Sequence, residues 1–422
     1  MGKYKNKVSD YTSEIREQFN KYGNVQNLMR YFNEENLKNE HNRLRKTKVD
    51  GIDNVTKEIY NNNLNKNLSN LVQSLKSKTY KPKPVKRIYI PKPNNKYRPL
   101  GIPVYQDKIV QSVMANILNA IYEPMFLDCS FGFRPNLTCH SALIELSHIM
   151  ADYNINYIVE VDIKGFFDNV NHQKLINFLK YIIKDKDFIY YINKFLKCGA
   201  ILDGKRLKPK KGTPQGGIIS PILANVYLHY VLDIWFETYI KTKFKICELI
   251  RYADDFIVLF ENKADAKQFK KELKKRLAKY DLYLEPSKTH IIQFGKNSIN
   301  NNTFDFLGFT ISGSTDIFGK FKVNFITSPT KYETKKTTIK KVIAGINCRN
   351  YTRSTTKLNF KLKGFYNYYN VDTNIACIEN IYNYTEELLI QHLKKHKIKA
   401  STLIIDDNSS LAKPNYKKTK SL

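Results

Sequence analysis

The sequence predicts an α+β protein, on three observations. Residues 1 to about 80, and those beyond about 325, repeat apolar side chains at helical spacing among polar ones. Between them, short β-branched and aromatic runs are broken by turn-forming residues, as in Y-I-V-E-V-D-I-K-G-F-F (Tyr157–Phe167) and R-Y-A-D-D-F-I-V-L-F (Arg251–Phe260). Helical segments separate those runs, so the strands can be neighbours in one sheet.

Taken in order, Ile15, Phe19, Tyr22, Leu28, Tyr31 and Phe32 are spaced to bury one face of the N-terminal helical stretch. R-L-R-K-T-K-V-D-G-I-D (Arg43–Asp53) sets a basic lead before an Asp-Gly turn, open to phosphate contact or to a solvated charge run. From Tyr80 to Val104, repeated prolines around a P-N-N-K turn read as two extended edge strands joined in a hairpin. Lys86, Arg87, Lys92, Lys96 and Arg98 line it, and Lys92 with Arg98 could converge on a triphosphate. Ile109, Val113, Ile117 and Ile121 make Asp107–Met125 a helix that stops near Pro124. The loop C-S-F-G-F-R-P (Cys129–Pro135) suits bracing a strand or a phosphate.

A helix from about Cys139 to Tyr153 leads into the strand Tyr157–Phe167, which puts Asp162 at its buried centre and ends at Gly165. Strand propensity disfavours Asp and burial disfavours its charge, so Asp162 is either functional or turned outward from a half-exposed strand. Asp168, Asn169 and Asn171 would cap a helix over His172–Ile183. In K-G-T-P-Q-G-G-I-I-S-P, Gly212, Gly216 and Gly217 permit close backbone approach to a ligand, and Gln215 can hydrogen-bond a sugar or base. A helix from Pro221 to about Tyr239 follows. The flanks of Ala253-Asp254-Asp255 are apolar, which makes a hairpin with two acids at its tip. A charged helix, Lys263–Tyr280, repeats Phe269, Leu273 and Leu277. Two short β units follow, Leu282–Phe294 and Phe304–Ile311. Aromatic residues alternate with polar ones in L-K-G-F-Y-N-Y-Y-N (Leu362–Asn370), fit for stacking on a single strand or for a packed helix face.

Composition narrows the partners. A formal net charge of +31, from 70 Lys plus Arg against 39 Asp plus Glu, calls for a polyanion, nucleic acid before all others. No apolar stretch approaches the roughly 20 residues of a spanning helix, and M-G-K-Y-K-N-K lacks a signal-peptide core, so no membrane and a cytoplasmic location are expected. Six scattered cysteines, without C-x-x-C or His at zinc spacing, read as reduced thiols rather than a disulfide or a zinc site.

Asp162, Asp254 and Asp255 would repel if brought together unless cations neutralised them. Oxygen ligands suit Mg²⁺, with Mn²⁺ as the alternative, and two such ions could activate an attacking 3′-hydroxyl and stabilise leaving pyrophosphate. With Lys92 and Arg98 for the triphosphate, the reading is a nucleotidyl transferase.

The ordered series I-P-K-P-x-x-x-x-R-P-L, F-G-F-R-P, V-D-I-K-G-F-F-D, G-T-P-Q-G-G-I-I-S-P, R-Y-A-D-D and F-L-G-F resembles a group II intron-encoded reverse transcriptase, or maturase, over about Arg43 to Ile311. The resemblance implies a right-hand polymerase of fingers and a palm with an antiparallel sheet, followed by an α-helical thumb. It implies catalytic Asp162, Asp254 and Asp255, with Asp162, Asp254 and the Ile163 carbonyl on metal. Lys92, Arg98, Phe167, Gln215 and Lys288 would contact the nucleotide, Phe167 as the gate against a 2′-hydroxyl. Phe306, Leu307 and Gly308 would hold the primer end. The implied segmentation is 1–80 for the N-terminal extension and start of the fingers, 81–315 for fingers and palm, 316–400 for the thumb and 401–422 for a flexible basic tail.

The implied partners are an RNA template, a DNA primer, deoxynucleoside triphosphates, group II intron RNA and target DNA. Phe365 stands where relatives often have Trp, and the family's DNA-binding segment is short or degenerate after Tyr384. No His/Cys cluster suggests the HNH endonuclease some members carry. Two other roles fit the same motifs: a reverse transcriptase recruited to phage defence or a CRISPR-associated system, and an RNA-binding splicing cofactor with incidental polymerase activity.

Overall fold

The computed structural model describes residues 11–46, 49–91, 97–207, 209–213, 216–296, 302–347, 349–396 and 411–415. Helices and largely separate sheets make up the chain, consistent with an α+β protein. In order, the N-terminal helices are α1 (Tyr11–Tyr22), α2 (Glu34–Arg43), α3 (Lys57–Asn61) and α4 (Leu64–Lys76). A hairpin of β1 (Val85–Pro91) and β2 (Tyr97–Ile102) leads to α5 (Tyr105–Tyr122) and α6 (Cys139–Asp152). Next come β3 (Tyr157–Asp162), the short α7 (Phe166–Asn169), α8 (His172–Ile182), α9 (Lys186–Lys197), β4 (Ala200–Leu202), β5 (Lys205–Leu207) and α10 (Ser220–Leu228). The rest runs β6 (Cys247–Tyr252), β7 (Asp255–Phe260), α11 (Lys263–Ala278), β8 (His290–Gln293), β9 (Phe304–Phe306), β10 (Phe309–Thr315), β11 (Phe321–Thr327), α12 (Pro329–Ala344), α13 (Tyr351–Tyr369) and α14 (Ile375–Lys395).

The sheets have orders β2-β1-β4-β5, β6-β7-β3-β8 and β11-β10-β9. The chain divides into two compact units. One holds Met1–Thr138, Glu160–Val258 and Lys267–His290; the other holds Cys139–Val159, Leu259–Ala266 and Ile291–Leu422.

In the first unit, the apolar stripe of α5 forms a core, with Ile109, Val113, Ile117 and Ile121 fully buried. The N-terminal helices pack on it through polar contacts as well as apolar ones. Buried Glu40 of α2 accepts from Ser112 Oγ at 2.5 Å and Asn116 Nδ2 at 2.9 Å. Caps lie where side chains can reach the first free amides: Asn33 accepts from Asn36, Thr56 from Ile59 and Asn171 from Lys174. Ile15, Leu28, Tyr31 and Phe32 are buried as the spacing predicts, but Tyr22 is 60 % exposed. It is the last residue of α1, where the helix has no more core to cover.

Only one strand of the first hairpin is an edge. β1 pairs antiparallel with β2 from Lys86↔Ile102 to Pro91↔Tyr97 and also parallel with β4 at Val85↔Ala200 and Lys86↔Ile201. Neither β1 residue in that second register is a proline, so both can donate to a neighbour. The helix expected over Pro221–Tyr239 begins as α10 and then widens into π turns at His229–Asp233 and Phe236–Ile240.

In the second unit, β10 pairs with β9 and with β11, a strand the sequence reading passed over although F-K-V-N-F-I-T alternates in burial. The L-K-G-F-Y-N-Y-Y-N motif lies on α13. Its Phe365, Tyr366 and Tyr369 are buried, which makes a packed helix face of the side chains that could have stacked on a strand of nucleic acid.

Candidate active site

The acid-bearing turn is built on a strained residue and held by a buried ion pair. β6 ends at Tyr252 and β7 begins at Asp255, so Ala253 and Asp254 alone make the connection. Ala253 sits at φ 60°, a conformation its Cβ disfavours by about 1 kcal/mol. Arg251, fully buried, holds it: Nη1 donates to the Ala253 carbonyl and to Asn225 Oδ1, both at 3.0 Å. The rest of the guanidinium donates to Asp233 and, from Nη2 at 2.6 Å, to Ser130 Oγ. Asp233 lies in the first π turn. The C-S-F-G-F-R-P loop closes over the other side, with Arg251 N donating to Cys129 O and Phe131 N to Arg251 O, each at 2.8 Å. A Cβ at Gly132 would lie 2.3 Å from the Ala253 amide, so only glycine lets the loop approach so closely. Of the two roles open to that loop, it braces the strand. Arg134 is committed to Glu123 and to the Leu127 and Ser130 carbonyls.

Asp162 does not lie at the buried centre of its strand. It is the last residue of β3, its side chain 38 % exposed, and an isolated antiparallel bridge joins the next residue, Ile163, to Leu284. Glu285 N donates to the Asp162 carbonyl at 2.9 Å and Lys164 N to the Tyr283 carbonyl at 2.8 Å; neither bond uses the Ile163 carbonyl. The same segment carries Lys288, whose Nζ lies 2.7 Å from Asp162 Oδ2 and whose pKa that bond raises.

Loss of hydration holds the Asp254 carboxyl above the usual range, with Asp162 adding repulsion and Arg98 and Arg251 opposing it. Asp255 is pushed up to about 7, by desolvation first and then by Asp254, Glu160 and Asp162. Asp255 itself lies at the surface, where a cation can reach it. The three acids are thus electrostatic neighbours, yet among the described residues no three His, Cys, Asp or Glu side chains close into a ready-made metal cage.

Of the other expected residues, Lys92 and Gln215 lie outside the described residues. Arg98 is exposed on β2. Phe166 is 1 % and Phe167 9 % exposed, and Phe166 packs against Tyr227 at 6.4 Å. The segments flanking Gln215 are pinned: Thr213 N donates to the Phe167 carbonyl and Gly212 N to the Val170 carbonyl, both at 2.7 Å. A Cβ on Gly216 would meet the Gly101 carbonyl of β2 at 2.3 Å. Phe306, Leu307 and Gly308 belong to the second unit, where Leu307 (φ 51°) and Gly308 (φ 81°) form the β9–β10 turn. Tyr368 of α13 donates its hydroxyl to the Leu307 carbonyl at 2.8 Å.

The bracing residues Arg251, Asp233, Asn225 and Ser130 carried no signal of their own in the sequence. Arg251 stood beside the acids, but its partners are 18, 26 and 121 residues away.

An acid-bearing hairpin, a strand-end aspartate and a basic strand thus belong to one compact unit. The comparisons give the family: residues 90–311, just over half of the chain, match reverse transcriptase (RNA-dependent DNA polymerase), and the chain belongs to that family. It is 48 % identical over 163 residues to the group II intron-encoded protein LtrA of Lactococcus lactis subsp. cremoris, covering 38 % of this chain and 27 % of that protein. It is 30 % identical over 304 residues to protein YkfC of Escherichia coli (strain K12), 65 % of this chain and 78 % of that one. The putative COX1/OXI3 intron 1 protein of Saccharomyces cerevisiae is 32 % identical over 294 residues, 58 % of this chain and 34 % of the yeast protein. The match thus spans about a quarter of the length of LtrA. These relatives bear out the resemblance to group II intron-encoded reverse transcriptases. Among the described residues no helix is long and apolar enough to cross a membrane.

Proposed function

We propose that this chain is an RNA-directed DNA polymerase that extends a DNA primer along an RNA template, and that it binds group II intron RNA to assist splicing and mobility, with target DNA as a further partner. The observation that carries the reading is electrostatic: Asp254 is under the influence of both Asp162 and Arg98, an acid of β3 and a base of β2. In the reaction, the primer 3′-oxygen joins the α-phosphorus of a deoxynucleoside triphosphate as the bond to pyrophosphate breaks. Negative charge therefore gathers where acids are already crowded.

The donor set fits a hard divalent cation. It is all oxygen, two carboxyls are held above their usual range by desolvation and then by the charge of neighbouring acids, and an ammonium already lies on the third. Asp162 and Asp254 with the Ile163 carbonyl would hold Mg²⁺, or Mn²⁺, leaving substrate oxygens and water to complete each shell in place of a third protein carboxylate. Bound there, two such ions would favour the 3′-alkoxide and neutralise the leaving pyrophosphate. Asp255, in mutual repulsion with Asp254 and Asp162, completes the triad and adds to its demand for a cation.

The chain's own residues do the positioning. Arg98, with Lys92, takes the triphosphate as a charge-assisted donor. Lys288 holds Asp162 in place until substrate arrives and then turns to the nucleotide. Phe167, less enclosed than Phe166, lies under the sugar and rejects a 2′-hydroxyl, and Gln215 reaches the nucleotide and template. In this reading β1, β2, β4 and β5 belong to the fingers, β3, β6 and β7 to the palm, α12–α14 to the thumb, and the Phe306-Leu307-Gly308 turn to the grip on the primer end.

Primer extension on an RNA template with Mg²⁺ and deoxynucleoside triphosphates tests this. Wild-type protein should extend the primer and Asp254→Ala should not. Synthesis retained by Asp254→Ala would overturn the metal assignment, and no synthesis by the wild type would overturn the activity.

A further inference from the structure

We propose that the cleft between α8 and α9 is a second nucleic-acid site, one that takes the phosphate backbone of folded RNA. The cleft measures about 850 Å³ and shares no lining residue with the acidic site. Five lysines line it, Lys180 and Lys184 from the end of α8, Lys186 and Lys197 from α9, and Lys210 from the segment after β5. All five are exposed, and none forms an ion pair with a described residue.

The one acid on the wall is already used up. Asp185 accepts from the Asp187 and Phe188 amides through Oδ1 and from the Leu28 and Met29 amides through Oδ2. Its neighbour Asp187 is paired with Lys78 at 2.7 Å. Among the described lining residues the concavity therefore sets five lysines against the single negative charge of Asp185, which backbone amides hold in place.

Ordinary helix chemistry accounts for part of this. Lys180 and Lys197 stand in the last turns of their helices, where the dipole favours a cation, and Lys184 donates to the Lys180 and Tyr181 carbonyls. It does not account for Lys186, which opens α9 at the end where a cation is disfavoured, or for Lys210, which arrives from another segment. A polyanion satisfies all five. The cleft is wider than a single phosphate needs, and its isoleucines, Ile176, Ile183 and Ile189, are buried, so it offers a membrane no aliphatic side chain to insert. Exposed Tyr190, its ring 4.9 Å from Lys194 Nζ, gives the rim a surface for a ribose or base. The choice of RNA as the polyanion rests on the proposed function; the existence of the site does not.

The test compares K180Q/K186Q/K197Q/K210Q with K263Q/K267Q/K271Q/K274Q, which removes the same charge from the exposed face of α11. Binding of a labelled RNA stem-loop is followed by fluorescence anisotropy across a salt series, beside primer extension on a short saturating primer-template and sedimentation with phosphatidylserine vesicles. The cleft variant should bind the stem-loop at least tenfold more weakly than the α11 variant. Its log-log salt slope should be shallower by about 3.6, at roughly 0.9 for each of four lost phosphate contacts. Its primer extension should be unchanged. Equal losses in the two variants would overturn the proposal, as would an unchanged slope or a defect confined to vesicles. Wild-type protein that binds through the cleft but extends no primer would overturn the polymerase reading alone.

Discussion

Arg251 and Asp233 are joined by two hydrogen bonds, Nε to Oδ1 at 2.7 Å and Nη2 to Oδ2 at 2.5 Å, with both side chains wholly buried. The pair connects the strand that leads into the acidic turn with the π-wound segment after α10. Asn225, Ser130 and the Ala253 carbonyl satisfy the remaining guanidinium donors, so the charge is buried without an unmet polar group.

Removing one partner should therefore be far worse than removing an exposed ion pair. Arg251→Met leaves Asp233 buried and alone and should lower unfolding free energy by roughly 3–5 kcal/mol in urea titrations. Arg251→Lys keeps the charge but loses the fork that reaches Ala253, and it should abolish primer extension while costing less stability. Normal extension by the lysine variant would mean that the turn does not depend on this brace.

The primer-side turn makes a separate claim. A Cβ at Gly308 would lie 2.9 Å from the Tyr369 hydroxyl, and φ is 81°. Gly308→Ala should cost about 1–2 kcal/mol. Adding Tyr369→Phe should recover part of that cost, since it relieves the clash but not the backbone strain. A double-mutant cycle in denaturant measures the coupling, and strict additivity would show that only φ matters.

Asp107 predicts how stability depends on pH. Its carboxyl is buried, accepts from the Tyr80 hydroxyl and, at 2.9 Å, from the Lys83 amide, and is pushed up to about 7, chiefly by desolvation. In the unfolded chain it titrates near its ordinary value of about 4. Between those values the folded protein holds a proton that the unfolded chain has lost. The favourable contribution is full below about pH 4 and fades as pH rises towards 7, by at most about 4 kcal/mol. Asp107→Asn should flatten that part of the pH–stability curve; an unchanged slope would assign it to other groups.

At the sugar, Phe167→Val should raise ribonucleotide incorporation by at least tenfold in primer extension with mixed nucleotides, whereas Phe166→Val should mainly lower stability. Phe166 is the ring packed against Tyr227. The opposite pattern would exchange the two roles.

Much of the fold was legible because periodicity reports burial directly. The stripe Ile109, Val113, Ile117, Ile121 and the repeat Phe269, Leu273, Leu277 are fully buried as their spacing predicts. The Ala253-Asp254-Asp255 turn was legible because two acids interrupt an otherwise apolar hairpin. Local sequence misled at Asp162, since alternation marks a strand but not which of its residues stays covered. It also failed at β11, which spans the point near residue 325 where basic helices were expected to begin.

By itself, then, the sequence determined an α+β protein of strongly basic charge, the acidic turn and strand, and the motif order of a reverse transcriptase, because each is written in neighbouring residues. Only the tertiary structure decided that Arg251 spends its charge on Asp233, that Lys288 lies on Asp162, and that lysines of α8, α9 and the segment beyond β5 face one cleft with their only acid already engaged. Those pairings join residues 18, 126 and more positions apart. Charge type can be read along a chain, but which charges neutralise one another depends on distance in space, and that is fixed only when the elements pack.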